Sequence, residues 1–70
     1  MKYLKQEKDG ISVKISVDEL TILNNALNEV LNGIDGGEFS TRMGQNPEAV
    51  ELLLGEIGKM ISELRSGRPS

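Results

Sequence analysis

The sequence predicts a small α+β domain, a two-layer ββαα arrangement in which an N-terminal β-hairpin packs on an antiparallel pair of helices. This prediction is based on one segment with period-2 alternation, residues 11–15, and two segments with helical spacing of apolar residues, 17–32 and 47–65. Seventy residues leave room for one core. We therefore expect a single domain over residues 1–65 and a flexible tail over residues 66–70.

The hairpin is predicted over about residues 2–15. Residues 11–15 alternate β-branched apolar residues with polar ones, which is typical of a half-buried strand. Asp9-Gly10 precedes this strand and suits a two-residue hairpin turn, because both residues can take a positive φ. That turn sets Lys5 opposite Lys14, a pair of like charges that a bulge or a longer loop would relieve.

The first helix is predicted over about residues 17–32. Ser16 and Glu19 have the spacing of a capping box, which marks a helix start. Gly33 suits a left-handed residue that ends the helix. Six apolar residues share one side of this helix: Leu20, Leu23, Leu27, Val30, Leu31 and Ile34.

The second helix is predicted over about residues 47–65, with Asn46 as N-cap and Pro47 at the first helical position. Seven apolar residues form its stripe: Val50, Leu53, Leu54, Ile57, Met60, Ile61 and Leu64. We expect the two helical stripes to pack on each other and on the face of the hairpin formed by Ile11, Val13 and Ile15.

Composition argues against an enzyme. The chain has no cysteine and no histidine, the commonest zinc ligands, and histidine is also the commonest general base. Its carboxylates show no spacing that would hold two of them across a substrate, and the loop over residues 33–46 does not match a calcium-binding loop. We expect no catalytic residue, no metal and no cofactor.

The charge and hydropathy pattern indicates the kind of partner. A net charge of −3 would repel a phosphate backbone, so nucleic acid is not expected. The sequence has no run of about 18 apolar residues and no signal peptide, which predicts a cytoplasmic protein without a membrane partner.

Four asparagines lie on one side of the first helix, at positions 24, 25, 28 and 32. Asparagine is a poor helix former, costing about 0.5 kcal/mol per site relative to alanine. One interpretation is a solvated face with an amide or two holding the following loop. The other is a surface that hydrogen-bonds a protein partner, with Asn25, Asn28 and Asn32 as its candidate residues.

The loop over residues 33–46 is longer than most connections between packed helices. It contains the only phenylalanine, Phe39, between Glu38 and Arg42. In a structural interpretation, Phe39 and Met43 enter the core while Glu38 pairs with Arg42. In the alternative, Arg42 anchors an interface, because arginine and aromatic residues are enriched at hot spots. Glu38, Phe39 and Arg42 complete the candidate partner-binding set.

Four further residues are candidates for self-association. Gly55 and Gly58 form a strip of small residues on the second helix, suited to close approach of a backbone from the same chain or from another chain. Ile22 and Leu52 project away from the apolar stripes of their helices. Unpaired hairpin edges offer a further route to a dimer.

Residues 23–30, Leu-Asn-Asn-Ala-Leu-Asn-Glu-Val, are followed by Gly33-Ile34, Glu38-Phe39, Thr41-Arg42 and Gly44. This pattern resembles small uncharacterised bacterial proteins, over roughly residues 11–60, with Gly36-Gly37 as a local departure. The resemblance implies a bacterial or phage setting and attaches no activity. It also implies that the asparagine side and the loop from Glu38 to Arg42 form one site.

The sequence therefore predicts a non-catalytic protein–protein interaction module. In the leading interpretation it is a small acidic inhibitor or immunity-type protein that binds a basic protein target. A structural homodimer without a dedicated partner is the alternative. A ligand-binding unit formed across such a dimer is a third.

Overall fold

The structure is a computed structural model, and it describes residues 1–67. The elements follow one another as β1 (Lys2–Glu7), β2 (Gly10–Lys14), α1 (Val17–Gly33), α2 (Phe39–Met43) and α3 (Pro47–Arg65). An antiparallel hairpin packed against α1 and α3 confirms the small α+β fold class. The predicted tail begins with Ser66 and Gly67, which form a turn after α3. The rest of that tail, 68–70, lies outside the described residues.

The hairpin turn differs from the predicted one. Glu7 pairs with Gly10, so Lys8 and Asp9 form the turn and Gly10 already belongs to β2. Gly10 does not have a positive φ. The predicted Asp9-Gly10 turn is therefore wrong by one residue, and the freedom of the glycine backbone is not used there.

A β-bulge between Tyr3 and Lys5 sets the register of the strands. It places Tyr3 opposite Val13, on the same face of the sheet, whereas an unbroken ladder would turn Tyr3 to the other face. The pair of like charges is Lys2 with Lys14 at the open end of the hairpin. The predicted Lys5–Lys14 pair is wrong because the turn lies one residue earlier than predicted, which places Lys5 opposite Ser12.

The hairpin is anchored to the helices through its open end. Ile15 packs against the core, and the amino group of Met1 forms an ion pair with Glu19. Val13 is half-buried, whereas Ile11, nearer the turn, is 61% exposed. The prediction that the helices cover the whole Ile11, Val13 and Ile15 face is thus wrong for Ile11.

Helix α1 starts at the predicted capping box. The backbone N–H of Glu19 donates to Ser16 Oγ at 3.1 Å, and the N–H of Ser16 donates to the Glu19 carboxylate at 3.0 Å. The hydrogen bond from the Met1 amino group, followed by the one from Ser16, lowers the pKa of Glu19 to about 2. Gly33 is the last helical residue and is not left-handed, because the extended Ile34 is the C-cap. Its predicted role as a left-handed terminator is wrong.

The predicted loop contains a short helix, α2. The N–H of Glu38 donates to Asp35 O at 3.0 Å, closing a turn just before this helix. Gly44 ends it with a φ of 76°, which suits glycine. Helix α3 then begins as predicted, with Asn46 Oδ1 accepting from the N–H of Ala49 at 2.8 Å and Pro47 in the first turn.

The core is small and lies along the contact between the long helices. Leu20 packs against Ile57 and Ile61, with the partly buried Val17 and Leu27 around them. Because Leu20 is near the start of α1 while Ile57 and Ile61 are in the second half of α3, the helices run antiparallel. The buried apolar residues are Leu20, Phe39, Val50, Ile57 and Ile61.

The chain is thin. It measures 40 × 30 × 17 Å along its principal axes and has a radius of gyration of 13.8 Å. A compact chain of this length is expected to have a radius of gyration of about 11 Å. Much of the surface of the helix pair therefore faces solvent.

Candidate functional site

The contact between α1 and α3 divides their surface into two flanks. Leu20 marks the line of contact on α1, and Val50, Ile57 and Ile61 mark it on α3. Angles around each helix are counted from its contact line in the direction of the chain. Because the two helices run antiparallel, residues at angles of the same sign lie on the same face of the pair. The two flanks defined in this way have different chemistry.

One flank, here called the asparagine flank, is polar and lined by small residues. Its members lie roughly 80–140° from the contact lines. They are Asn25, Asn28 and Asn32 of α1 and Gly55, Gly58 and Ser62 of α3, all exposed. Asn24 lies at its border and is half-buried.

Within residues 1–67, the amides of the asparagine flank have no side-chain hydrogen-bond partner. None of the side-chain hydrogen bonds found in residues 1–67 involves Asn25, Asn28 or Asn32. The interpretation in which these amides hold the following loop is therefore not supported. Each amide can offer two N–H donors and a carbonyl acceptor to another molecule.

Carboxylates adjoin these amides. Asp18 and Glu29 are both exposed on the solvent side of the row, and Glu29 lies one helical turn from Asn25 and Asn32. The surface therefore combines amide groups with negative charge. Such a surface can hydrogen-bond a backbone and pair with Lys or Arg side chains.

Glu38 and Arg42 are exposed at the two ends of α2. The N–H of Arg42 donates to Glu38 O at 3.0 Å, but Met1–Glu19 is the one ion pair formed within residues 1–67. The predicted Glu38–Arg42 side-chain pair is thus wrong. Five residues lie between Asn32 and Glu38, so their Cα atoms are at most about 22 Å apart.

Phe39 does not reach the surface. Its side chain is 2% exposed, and Met43, one turn later, is half-buried. The burial of Phe39 agrees with the structural interpretation of the loop, in which the phenylalanine is a core residue. Of the predicted loop residues, Glu38 and Arg42 are accessible to a partner and Phe39 is not.

The predicted self-association residues are all exposed. Ile22 and Leu52 project into solvent, and Leu52 is 71% exposed. A Cβ atom added at Gly55 or Gly58 would have no neighbouring atom within 4 Å. The interpretation in which another part of residues 1–67 packs closely on these glycines is therefore wrong, and contact with a second chain stays a prediction.

The sequence prediction missed a second, apolar flank on the opposite side of the helix pair. It consists of Leu53, Met60 and Leu64 of α3 with Leu23 of α1, roughly 40–80° from the contact lines. These residues were predicted to be core, but Leu53, Met60 and Leu64 are 49%, 42% and 52% exposed. The width of the apolar stripe on α3 was the available signal, since one neighbouring helix cannot cover all of it.

Other kinds of site find little support in the part of the chain that the structure describes. No three acidic side chains in residues 1–67 lie close enough together to hold a metal ion. An open, shallow depression at the hairpin turn is lined by Glu7, Lys8, Asp9, Gly10 and Ile11. Among the described residues, no helix has the length and apolar character needed to cross a bilayer.

Comparison of the chain with protein-family models, curated proteins and solved structures gives no match. The chemistry of the two flanks is therefore the basis for assigning a function.

Proposed function

We propose that this chain is a non-catalytic protein–protein interaction module that binds a basic protein. The binding surface is formed by Asn25, Asn28 and Asn32 of the asparagine flank, together with Glu38 and Arg42. The observation that supports it most is the row of three exposed amides, which make no side-chain hydrogen bond to any of residues 1–67.

These amides lower the stability of the helix that carries them. Each asparagine costs about 0.5 kcal/mol relative to alanine, because its amide competes with the helical hydrogen bonds. An asparagine that caps a helix offsets this cost, as Asn46 does at the start of α3. Asn25, Asn28 and Asn32 have no such role, so a contact with another molecule explains them better than stability does.

The distribution of charge supports a basic partner. Residues 1–15 contain four lysines and two acidic residues, whereas residues 16–67 contain three basic and nine acidic residues. The helical part of the chain, which carries the asparagine flank, is therefore strongly acidic. An acidic surface speeds association with a basic protein and disfavours acidic competitors. An inhibitor or immunity-type protein that covers the basic site of a nuclease fits this description.

Arg42 has a different role in the proposed surface. It is the only basic residue between Ser16 and Val50, and its side chain is exposed in the last turn of α2. Arginine is among the residues most enriched at binding hot spots, since its planar group can donate several hydrogen bonds at once. We assign Arg42 as the anchor and the amides as the surrounding hydrogen-bonding surface.

The test is affinity capture from a bacterial lysate, followed by titration of the purified partner. One variant combines Asn25→Ala, Asn28→Ala and Asn32→Ala; another carries Arg42→Ala. Gln6→Ala removes an exposed amide and Arg65→Ala removes an exposed positive charge elsewhere, so they are matched controls. We expect a basic partner whose affinity falls about tenfold or more in each test variant and is unchanged in the controls.

Equal affinity for the test and control variants would contradict the proposed surface. Capture of no basic protein would favour the competing function, a structural homodimer without a dedicated partner.

A further inference from the structure

We infer that a second copy of this chain covers the apolar flank, with α3 packed antiparallel on α3 of the other copy. This inference goes beyond the proposed function, because it uses none of the residues assigned to the basic partner. The contact is made by Leu53, Met60 and Leu64, with Leu23 of α1 beside them.

The total exposed area of the chain is large for its mass. The chain exposes 5635 Å². A folded monomer of 7.6 kDa is expected to expose about 4,300 Å², so the surplus is roughly 1,300 Å². A stable dimer of standard size buries about 800 Å² on each partner. The surplus over the whole chain therefore exceeds the area that one partner buries in such a dimer.

Part of this exposed surface is a row of apolar side chains on α3. Leu53, Met60 and Leu64 follow one another at spacings of seven and four residues, which places them in a row about 16 Å long on one side of α3. Single exposed apolar residues are normal on a protein surface. A continuous row beside the contact line is different, because it extends the core of the helix pair toward solvent.

The row of apolar side chains on α3 also complements its own rotated copy. When two α3 helices run antiparallel about a twofold axis between positions 58 and 59, Leu53 lies level with Leu64 of the second copy. The two copies of Met60 then lie on either side of the axis, about 4.5 Å apart along the helices. A twofold dimer requires one surface to match its own rotated copy, and this spacing meets that requirement.

The composition of the row also favours a second copy as occupant. Its members carry no charge, and Glu56 and Glu63 stay exposed at its outer border, as charged residues do at the rim of an interface. The cores of homodimer interfaces are more apolar than other interfaces. A basic partner, in contrast, finds its complementary charges on the asparagine flank.

The hairpin edges are less suited to self-association. Strand β1 carries Lys2 and Lys5, the turn adds Lys8, and the bulge lies between Tyr3 and Lys5. Lysines and bulges on an edge strand oppose pairing with another strand. The helix pair therefore offers the better interface.

The first experiment measures the oligomeric state by sedimentation equilibrium from roughly 1 to 200 µM, where a micromolar dissociation constant is resolved. We expect a dimer for the unaltered chain. Leu53→Glu and Leu64→Glu, made separately, should each raise the dissociation constant about tenfold or more. Leu52→Glu is the matched control, since it places the same charge on a more exposed leucine of the same helix, away from the row.

Three outcomes would overturn the inference. The first is an unaltered chain that stays monomeric at the highest concentration. The second is a dimer that Leu52→Glu weakens as much as Leu53→Glu and Leu64→Glu do. The third is a dimer that Ile11→Lys dissociates while the helix variants leave it intact. Far-UV circular dichroism of each variant shows that the helices are still formed.

The second experiment tests the antiparallel arrangement by disulfide formation. The chain has no cysteine, so Leu53→Cys and Leu64→Cys each introduce a single thiol. When chains of the two variants are mixed, one with an affinity tag, oxidation should yield mostly the mixed dimer. Disulfides predominantly between identical variants would contradict the antiparallel pairing.

Discussion

The asparagine flank and the apolar flank lie on opposite sides of the same pair of helices, yet neither is used by the isolated chain. The amides of the first make no side-chain hydrogen bond within residues 1–67, and Leu53 and Leu64 of the second are about half exposed. The first flank lowers helix stability, while the second leaves apolar area in water. In the two proposals above, each cost is offset by a different partner, a basic protein for the asparagine flank and a second copy of the chain for the apolar flank.

The difference also shows why exposure alone does not identify a binding surface in so thin a domain. Leu52 is more exposed than Leu53 or Leu64, but it projects alone among charged residues. The position of a residue relative to the contact line and the chemistry of its neighbours are more informative than its exposed fraction.

The largest expected change in stability comes from Leu20, which lies on the line of contact that separates the two flanks. Leu20→Ala should lower the free energy of unfolding by about 3 kcal/mol, because it leaves a cavity between α1 and α3. Leu53→Ala, measured by urea unfolding at low micromolar concentration, should cost less than about 1.5 kcal/mol in the same chain. If both variants lost a similar amount of unfolding free energy, the apolar flank would be part of the core.

Substitutions on the asparagine flank should raise the free energy of unfolding instead of lowering it. Replacing Asn25, Asn28 and Asn32 together with alanine should raise the free energy of unfolding by about 1–1.5 kcal/mol, because alanine is the better helix former. For a domain of this size, the melting temperature should rise by roughly 5–10 °C. A loss of stability in thermal unfolding would mean that the amides support the fold, and the proposed surface would then lack its main argument.

Two glycine-to-alanine substitutions should change the stability of the chain in opposite directions. Gly58→Ala, on the asparagine flank, should stabilise the chain by about 0.5–1 kcal/mol, because the added Cβ meets no neighbouring atom. Gly44→Ala should destabilise it by about 1 kcal/mol or more, because alanine is strained at a φ of +76°. Chemical denaturation of both variants checks the signs. A destabilising Gly58→Ala would indicate a close neighbour on that flank.

The smallest effect concerns the end of the helix pair where the hairpin is attached. The pKa of Glu19 is lowered from 4.5 to about 2, so its carboxylate stabilises the folded chain fully above pH 4.5. That contribution is lost as the pH falls from 4.5 through about 2. NMR titration of the Glu19 carboxyl carbon should show the low midpoint, and Glu19→Gln should flatten the pH dependence of stability in this range. A midpoint near 4.5 would contradict the contacts with Met1 and Ser16.

The sequence by itself determined the local structure wherever one short-range interaction decides the outcome. The Ser16–Glu19 capping box and the Asn46-Pro47 helix start were both predicted, because their hydrogen bonds join residues three apart. The apolar side of each long helix followed from the 3.6-residue period. The exposed asparagines could be assigned to one side of α1 by the same arithmetic.

Only the tertiary structure decided what covers each surface. The bulge near Tyr3 and the helix around Phe39 depend on strand pairing and burial, which no local pattern contains. The apolar flank was assigned to the core because periodicity shows which residues share a side, but not how much of that side a neighbour covers. With a single neighbouring helix, α3 buries Val50, Ile57 and Ile61 and leaves Leu53, Met60 and Leu64 beside them half exposed.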